Sequence, residues 1–288
     1  MLGYDESKMN MLVFDIGAHL GEDTEYYLAR GFNVIAFECM PENIKRIQDK
    51  FPKEILDKRL ILETRALLVG GGEDREATFF VDKISFWGTL HKDWAERNQR
   101  LGSQNRSISV KTMEPSEAYE LYGKPYFMKI DVEGEDVNVL KSLSSITVHE
   151  RPKYISIESS KTSWKSLINE FRVFEDLGYT HFAVRPQSKM AKTTTQWVAS
   201  DGKKCSFRHQ KDSSGPFGGD LDESTWMSKQ QAIRKYKIIF MWYFLFGDDG
   251  ILAPRKIKNI TLRRKYSRFL NRLRLKDWYD THAKRQDF

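Results

Sequence analysis

The chain has 288 residues, enough for one large domain or one domain with an appendage, and its 40% apolar and 30% charged residues argue for a globular fold over a disordered one. Two cysteines, Cys39 and Cys205, are too few for a disulfide scaffold or a cysteine-based zinc site. The net charge of +7 is uneven: residues 229–288 carry 16 Lys/Arg against 5 Asp/Glu, a net +11, while the preceding 228 residues carry 31 against 35, a net −4.

Residues 1–10 are polar and an apolar run starts at once after them, so no signal peptide is expected. The longest apolar run, residues 238–246, has nine residues, whereas a membrane span needs about 20. A reducing cytoplasm is the expected setting.

In chain order, residues 11–16 form an apolar run closed by Gly17, a buried-strand signal. Residues 22–30 predict a helix with acids in its first turn and Gly31 as its stop. Residues 33–38 predict a second strand, and Pro41 opens the next helix where no backbone donor is needed. Strands are expected at 60–63, 77–81, 126–130, 154–158 and 180–185, with a turn at 70–74. The alternation over 108–113 predicts an edge strand. Helices are expected at 115–122, near 136–143, and from the Ser163 cap to Leu177, with Gly178 ending the last.

This alternation of strand and helix predicts a Rossmann-like α/β sheet with helices on both faces. The composition then changes, so residues 1–200 are expected to form the ligand-binding domain and 201–288 a loop and basic helical extension packed on it. Residues 201–223 read as loop, 227–246 and 256–275 as helices. Tyr266, Phe269, Leu270 and Leu273 fall at i, i+3, i+4, i+7 on the second helix. That basic, amphipathic segment either covers the core with its apolar stripe inward or meets an anionic surface.

Three constellations carry the chemistry. Gly17 and Gly21 frame the first strand-to-helix turn, Asp15-Ile16-Gly17-Ala18-His19-Leu20-Gly21, where a nucleotide-like ligand needs close backbone approach. The Gly-x-x-x-Gly spacing differs from the Gly-x-Gly-x-x-Gly of dinucleotide binding and disfavours NAD; a plain turn is the alternative. Glu38 closes the second strand, where an acid can accept both hydroxyls of a ribose, or simply be a surface carboxylate. Asp131 and Glu133 gather where a central strand should end, facing the same crevice. Acids favoured by a helix N-terminus are the competing explanation, and they suit Glu135 and Asp136 better than Asp131.

The run from Phe14 to Thr24, then Ala36-Phe37-Glu38, then Lys129-Ile130-Asp131-Val132-Glu133-Gly134, resembles the FkbM family of S-adenosylmethionine-dependent methyltransferases over about residues 11–187. The resemblance implies a class I methyltransferase fold with S-adenosyl-L-methionine as cofactor, Gly17 and Gly21 beneath its methionine part and Glu38 on its ribose. It implies that Asp15 braces the glycine loop or the amino-acid end, and that Arg65 and Ala66 border the adenine. His19 departs from the family, which often carries Asn there; it either bonds a carboxylate or caps the loop. The family implies O-methylation of a hydroxyl, often on a sugar, so a small-molecule or glycan acceptor is expected.

Trp87, Thr89 and Arg97 are the candidate acceptor contacts, because aromatic faces and donors suit a sugar; a packed helix and turn is the alternative. Asp131 or Glu133 is the candidate general base, the other carboxylate holding cofactor or acceptor. The six histidines are dispersed, and no metal is expected. The competing functions are methylation of RNA or another polyanion through the basic segment, and a non-catalytic module that binds a nucleotide-like ligand.

Overall fold

The computed structural model describes residues 11–72, 75–82, 88–89, 105–132, 134–160, 163–191, 193–199, 201–247, 250–273 and 277–286. They fall into two compact units, residues 1–157 with 196–207, and residues 158–195 with 208–288.

In the first unit β1 (Leu12–Ile16) is buried at every position, as befits a strand covered on both faces. It pairs in parallel with β2 (Asn33–Phe37) on one side and β8 (Phe127–Ile130) on the other. β3 (Leu60–Glu63) extends the sheet beyond β2, and β9 (Tyr154–Glu158) beyond β8, all parallel. The spatial order is therefore β9-β8-β1-β2-β3. The chain winds outward from β1 to β3 and returns to the other side of β1, which makes the carboxyl ends of β1 and β8 the topological switch point.

α1 (Glu22–Ala29) and α2 (Pro41–Lys50) begin and run where the acids and Pro41 predicted. α3 (Pro52–Leu56), α4 (Pro115–Tyr122) and α5 (Asp136–Ser142) complete the helices described in this unit. Large side chains such as Phe14, Ile16, Tyr27 and Phe127 are almost wholly buried. Each is worth about 1.5–3 kcal/mol relative to exposure.

A second sheet runs β4 (Ala66–Leu67), β7 (Asn105–Met113), β5 (Glu76–Asp82), β6 (Gly88–Thr89). Here the structure corrects an expectation: residues 108–113 are not an edge, because β7 pairs with β4 in parallel and with β5 antiparallel. Alternating polarity reports one wet face of a sheet; it does not report how many neighbours a strand has. A second correction falls at the start of the stretch 201–223 read as loop, where a strand forms and pairs with one just before it. β11 (Thr194–Val198) and β12 (Lys204–Arg208) pair as a two-stranded sheet. Trp197 and Phe207 flank the buried Tyr26 of α1 at ring-centroid distances of 6.2 and 5.1 Å, and the Arg30 guanidinium lies 4.8 Å over Trp197. These strands are short and mostly polar, so only their inward aromatic positions carry a strand signal.

In the second unit, Ser163 accepts the Ser166 amide and caps α6 (Trp164–Asp176), as the sequence predicted. β10 (Tyr179–Pro186) follows. Ser228 and Gln231 form a reciprocal capping box at the start of α7 (Lys229–Phe246), so the helix begins after Met227–Ser228, which is a short strand, β13, paired with β10. Asn259 accepts the Leu262 amide at 3.0 Å and opens α8 (Ile260–Leu273). The expected apolar stripe of α8 is not one buried face: Leu270 is fully buried while Phe269 is 56% exposed.

Residues 279–285 are strand rather than helix. β14 (Tyr279–Arg285) pairs antiparallel with β10, with Phe182 opposite Ala283 and Val184 opposite Thr281. Thr281, His282 and Ala283 are buried, and Thr281 is hydrogen-bonded to Ser159 and, at 2.7 Å, to Tyr236. This strand is thus core to its unit. The Ser213–Gly219 loop is packed too, with His209 Nδ1 3.3 Å from the Ser213 hydroxyl and Phe217 buried.

Candidate functional site

The turn after β1 is pinned from both sides. The amides of Gly17 and Ala18 both donate to the Phe37 carbonyl at 3.0 Å, and the Asp131 amide donates to the Ile16 carbonyl at 2.9 Å. Gly17 has φ +83°, and a Cβ there would stand 1.9 Å from the Asp131 carbonyl oxygen. Only glycine lets the ends of β1 and β8 meet. Gly21, at φ +74°, is the N-cap of α1, and a Cβ on it would meet the Phe51 ring at 2.7 Å.

Between the glycines His19 adopts φ +53°, a left-handed conformation uncommon outside glycine and Asn-like residues. Three contacts hold it. Its amide donates to Glu38 Oε2 at 2.9 Å, its Nδ1 lies 3.1 Å from Glu22 Oε1, and the Leu20 amide donates to Glu22 Oε2 at 3.0 Å. Burial pushes the His19 pKa down, but the Glu22 hydrogen bond and the charges of Glu22 and Glu38 outweigh it and raise it. Its Nε2 is buried and makes no hydrogen bond.

Glu38 is buried just beyond β2. One carboxylate oxygen takes the His19 amide and the other the Met40 amide at 2.8 Å, so Glu38 holds the glycine turn in place. Burial raises its pKa, against the pull of those hydrogen bonds. A carboxylate has about four lone-pair directions, and the two amides and the Asn43 side chain leave about one.

Beneath the turn lies a buried charge cluster. Asp15 and Lys129 are register partners across β1 and β8. The Lys129 ammonium stands 3.2 Å from Asp131 Oδ2, 3.4 Å from Asp23 Oδ2 and 3.9 Å from Asp15 Oδ1. The Thr24 hydroxyl donates to Asp15 Oδ2 at 2.6 Å, whereas Asp15 Oδ1 accepts no hydrogen bond. Burial, partly opposed by Lys129 and reinforced by Asp23, raises the Asp15 pKa from 3.8 to about 6. Three carboxylates around one ammonium leave the pocket of charge net anionic.

Asp131 keeps 26% of its side chain exposed, so it belongs to the cluster and also reaches out of it. The turn that follows is organised by Asp136, whose two oxygens accept the Val132 and Gly134 amides at 3.2 and 3.0 Å. Burial and the Asp131 charge raise the Asp136 pKa to about 6. Glu133 lies outside the described residues.

At the end of β3 the Arg65 guanidinium is tied to two glutamates. Nε and Nη2 donate to Glu63 at 2.9 and 2.8 Å, and Nη1 to Glu117 at 2.6 Å. The Arg65 amide, at 2.9 Å, and the Tyr122 hydroxyl, at 2.7 Å, bring the bonds to the Glu63 carboxylate to four. Burial pushes the Glu63 pKa up, but these bonds dominate and hold it low. The Arg65 side chain therefore braces β3 with three of its five N–H groups, and Ala66 is a buried residue of β4.

The structure thus brings Asp15, Gly17, His19, Gly21, Glu38 and Asp131 together at the switch point. Trp87 and Arg97 lie outside the described residues, as does the Thr89 side chain, although Thr89 backbone pairs with Phe80. Asp23, Lys129 and Asp136 are the residues that sequence reasoning missed. Lys129 had a signal: a lysine inside an apolar central strand must find partners or go uncharged. The two aspartates had none beyond their place in a helix's first turn.

Residues 15–181, more than half of the chain, match the methyltransferase FkbM domain. No curated protein sequence matches the chain. Among solved structures it is similar to a precorrin 8w decarboxylase from Methanobacterium thermoautotrophicum, at 12% identity and TM-score 0.35, over 69% of this chain and 78% of that one. It is also similar to a SAM-dependent O-methyltransferase from Thermotoga maritima, at 8% identity and TM-score 0.37, over 98% of this chain and 62% of that one.

Proposed function

The chain belongs to the FkbM methyltransferase family, and from that premise we propose that it moves a methyl group from S-adenosylmethionine to a hydroxyl oxygen of a sugar or glycan-type acceptor. The observation that carries the cofactor reading is the anionic cluster at the switch point. Asp15, Asp23 and Asp131 outnumber Lys129, and two buried polar atoms there, Asp15 Oδ1 and His19 Nε2, have no hydrogen-bond partner. A ligand bearing a sulfonium and an ammonium complements that charge, and its carboxylate can accept from a His19 Nε2–H. Gly17 and Gly21 keep the turn free of side chains, and Glu38 is the acceptor for ribose hydroxyls. Arg65 acts here by bracing the strand end, with Ala66 beside it.

S-adenosylmethionine supplies a methyl carbon that its sulfonium already makes electrophilic. The protein must align the acceptor oxygen and take its proton. Alignment supplies about 7–11 kcal/mol in favourable cases, and a positioned base about 10²–10⁴ in rate. Asp131, half in and half out of the cluster, or Glu133 next to it on the same turn, receives the hydroxyl proton as the oxygen–carbon bond forms and the carbon–sulfur bond breaks. The neighbouring carboxylate holds cofactor or acceptor. Trp87, Thr89 and Arg97 are the acceptor contacts in this reading.

Calorimetry with S-adenosylmethionine, S-adenosylhomocysteine and NAD tests the cofactor. Binding of the first two and not NAD is expected, and binding of NAD alone would overturn it. Mass spectrometry of glycan, lipid and RNA fractions after incubation tests the acceptor. A one-methyl mass gain confined to RNA would overturn the hydroxyl-on-sugar reading while leaving the cofactor intact.

A further inference from the structure

α7 has two unlike faces. Its buried residues, Ala232, Tyr236 and Ile239, recur at i, i+4, i+7 and turn toward the interior of their unit. The opposite arc, at about 100° per residue, holds Arg234 and Lys237 in its first half and Ile238, Met241 and Phe244 further along. All five are exposed, the three apolar ones by 55%, 48% and 65%.

The chain beyond α7 enlarges the apolar end. The amides of Ile251 and Leu252 donate to the carbonyls of Phe244 and Leu245 at 3.1 and 2.7 Å. This sets Ile251 and Leu252, 56% and 49% exposed, beside the end of the arc. Met241 and Phe244 also line an open groove with Trp164, Lys237 and Phe240. Contiguous exposed apolar surface of this kind marks an interaction site.

Charge identifies the partner. α7 carries Lys229, Arg234, Lys235 and Lys237, of which Arg234 and Lys237 lie on this arc. No acid falls within α7 or α8. A second copy on this face would bring together two helices whose only charges are cationic. A nucleic acid would satisfy the charges but offers little to exposed aliphatic side chains, since its surface contacts are phosphates and stacking bases. An anionic lipid surface satisfies both, with phosphates for the basic half and the headgroup–acyl boundary for the apolar half. Among the described residues no helix is long and apolar enough to cross a membrane, so α7 would lie on such a surface.

We propose that the outer face of α7, with Ile251 and Leu252, docks the protein on the surface of an anionic phospholipid bilayer. The test is flotation of the full chain with vesicles of phosphatidylcholine alone and of phosphatidylcholine with phosphatidylserine, at low and physiological salt. Binding is expected to the phosphatidylserine vesicles and to weaken with salt. One basic residue at such a surface is worth about fivefold in partition, so R234Q/K237Q should lower it about 25-fold. M241S/F244S should lower it at least about tenfold, since burying apolar area drives the insertion. Both pairs are exposed, so the melting temperature should not move. Absence of binding at low salt overturns the assignment, as does binding that M241S/F244S leaves unchanged. Tighter binding to polyuridylate than to vesicles, lost in R234Q/K237Q alone, would make the partner a nucleic acid. A dimer by light scattering that M241S/F244S dissolves, without vesicle binding, would make it a second copy.

Discussion

Replacing Asp15 by asparagine separates what the buried cluster does for stability from what it does for binding. Asp15 is fully buried, and its pKa rises from 3.8 to about 6. In this direction the folded state holds the proton more tightly than the unfolded chain. Stability is therefore lost as pH climbs from 3.8 to about 6 and is flat above, the reverse of a salt-bridged surface aspartate. At about 1.4 kcal/mol per pH unit, ionised Asp15 costs the fold about 3 kcal/mol at neutral pH.

The neutral amide of Asp15→Asn carries no such cost, keeps an oxygen for the Thr24 hydroxyl, and relieves Asp23 and Asp131 of a neighbouring negative charge. It also deprives Lys129 of one of three carboxylates, a loss that shifts the whole curve more than its slope. The stability of Asp15→Asn minus that of the wild type is therefore expected to grow by about 2–3 kcal/mol between about pH 4 and about pH 7.5. Urea unfolding of both proteins at the two pH values reads this double difference directly. The same variant is expected to bind S-adenosylhomocysteine about tenfold more weakly, as one charge-assisted contact is lost. Parallel pH profiles for the two proteins would refute the reasoning, since Asp15 would then not be the group that titrates.

Glu38→Ala should weaken S-adenosylhomocysteine binding by roughly 10- to 150-fold, the worth of a charge-assisted contact of about 1.5–3 kcal/mol; unchanged affinity by calorimetry would remove Glu38 from the ribose. Gly17→Ala should destabilise the fold by more than about 2 kcal/mol, because it adds a backbone clash to the left-handed penalty; Gly31→Ala, at φ +91° with nothing within 4 Å of its Cβ, should cost only about 1–2 kcal/mol by thermal or urea unfolding. Equal losses at the two glycines would show that the β1–β8 approach is not the constraint. Asp131→Asn and Glu133→Gln should divide the roles: the base variant loses about 10²-fold or more in turnover while keeping cofactor affinity. Full turnover in both would exclude both as the base.

The local signals in this sequence were reliable where the physics is local. The period-two and period-3.6 patterns, Pro41, Gly31 and the Ser163 cap set the strands and helices of the parallel sheet to within a residue or two, since each depends on neighbours a turn away. Glycine and acid at strand ends likewise put Gly17, Glu38 and Asp131 at one edge, because a parallel sheet brings all its carboxyl ends to one side. Tertiary structure decided the rest. β7 is internal and β14 is a core strand because strand neighbours are chosen by burial between distant segments, which periodicity does not encode. Arg65 closes on Glu63 and Glu117, the latter 52 positions away, and so braces the strand end. Lys129 meets Asp15 and Asp23 across more than a hundred residues, and only that encounter turns a lysine in an apolar strand into the centre of an anionic site. A buried charge must be answered by whatever the fold brings beside it, and that is settled in three dimensions.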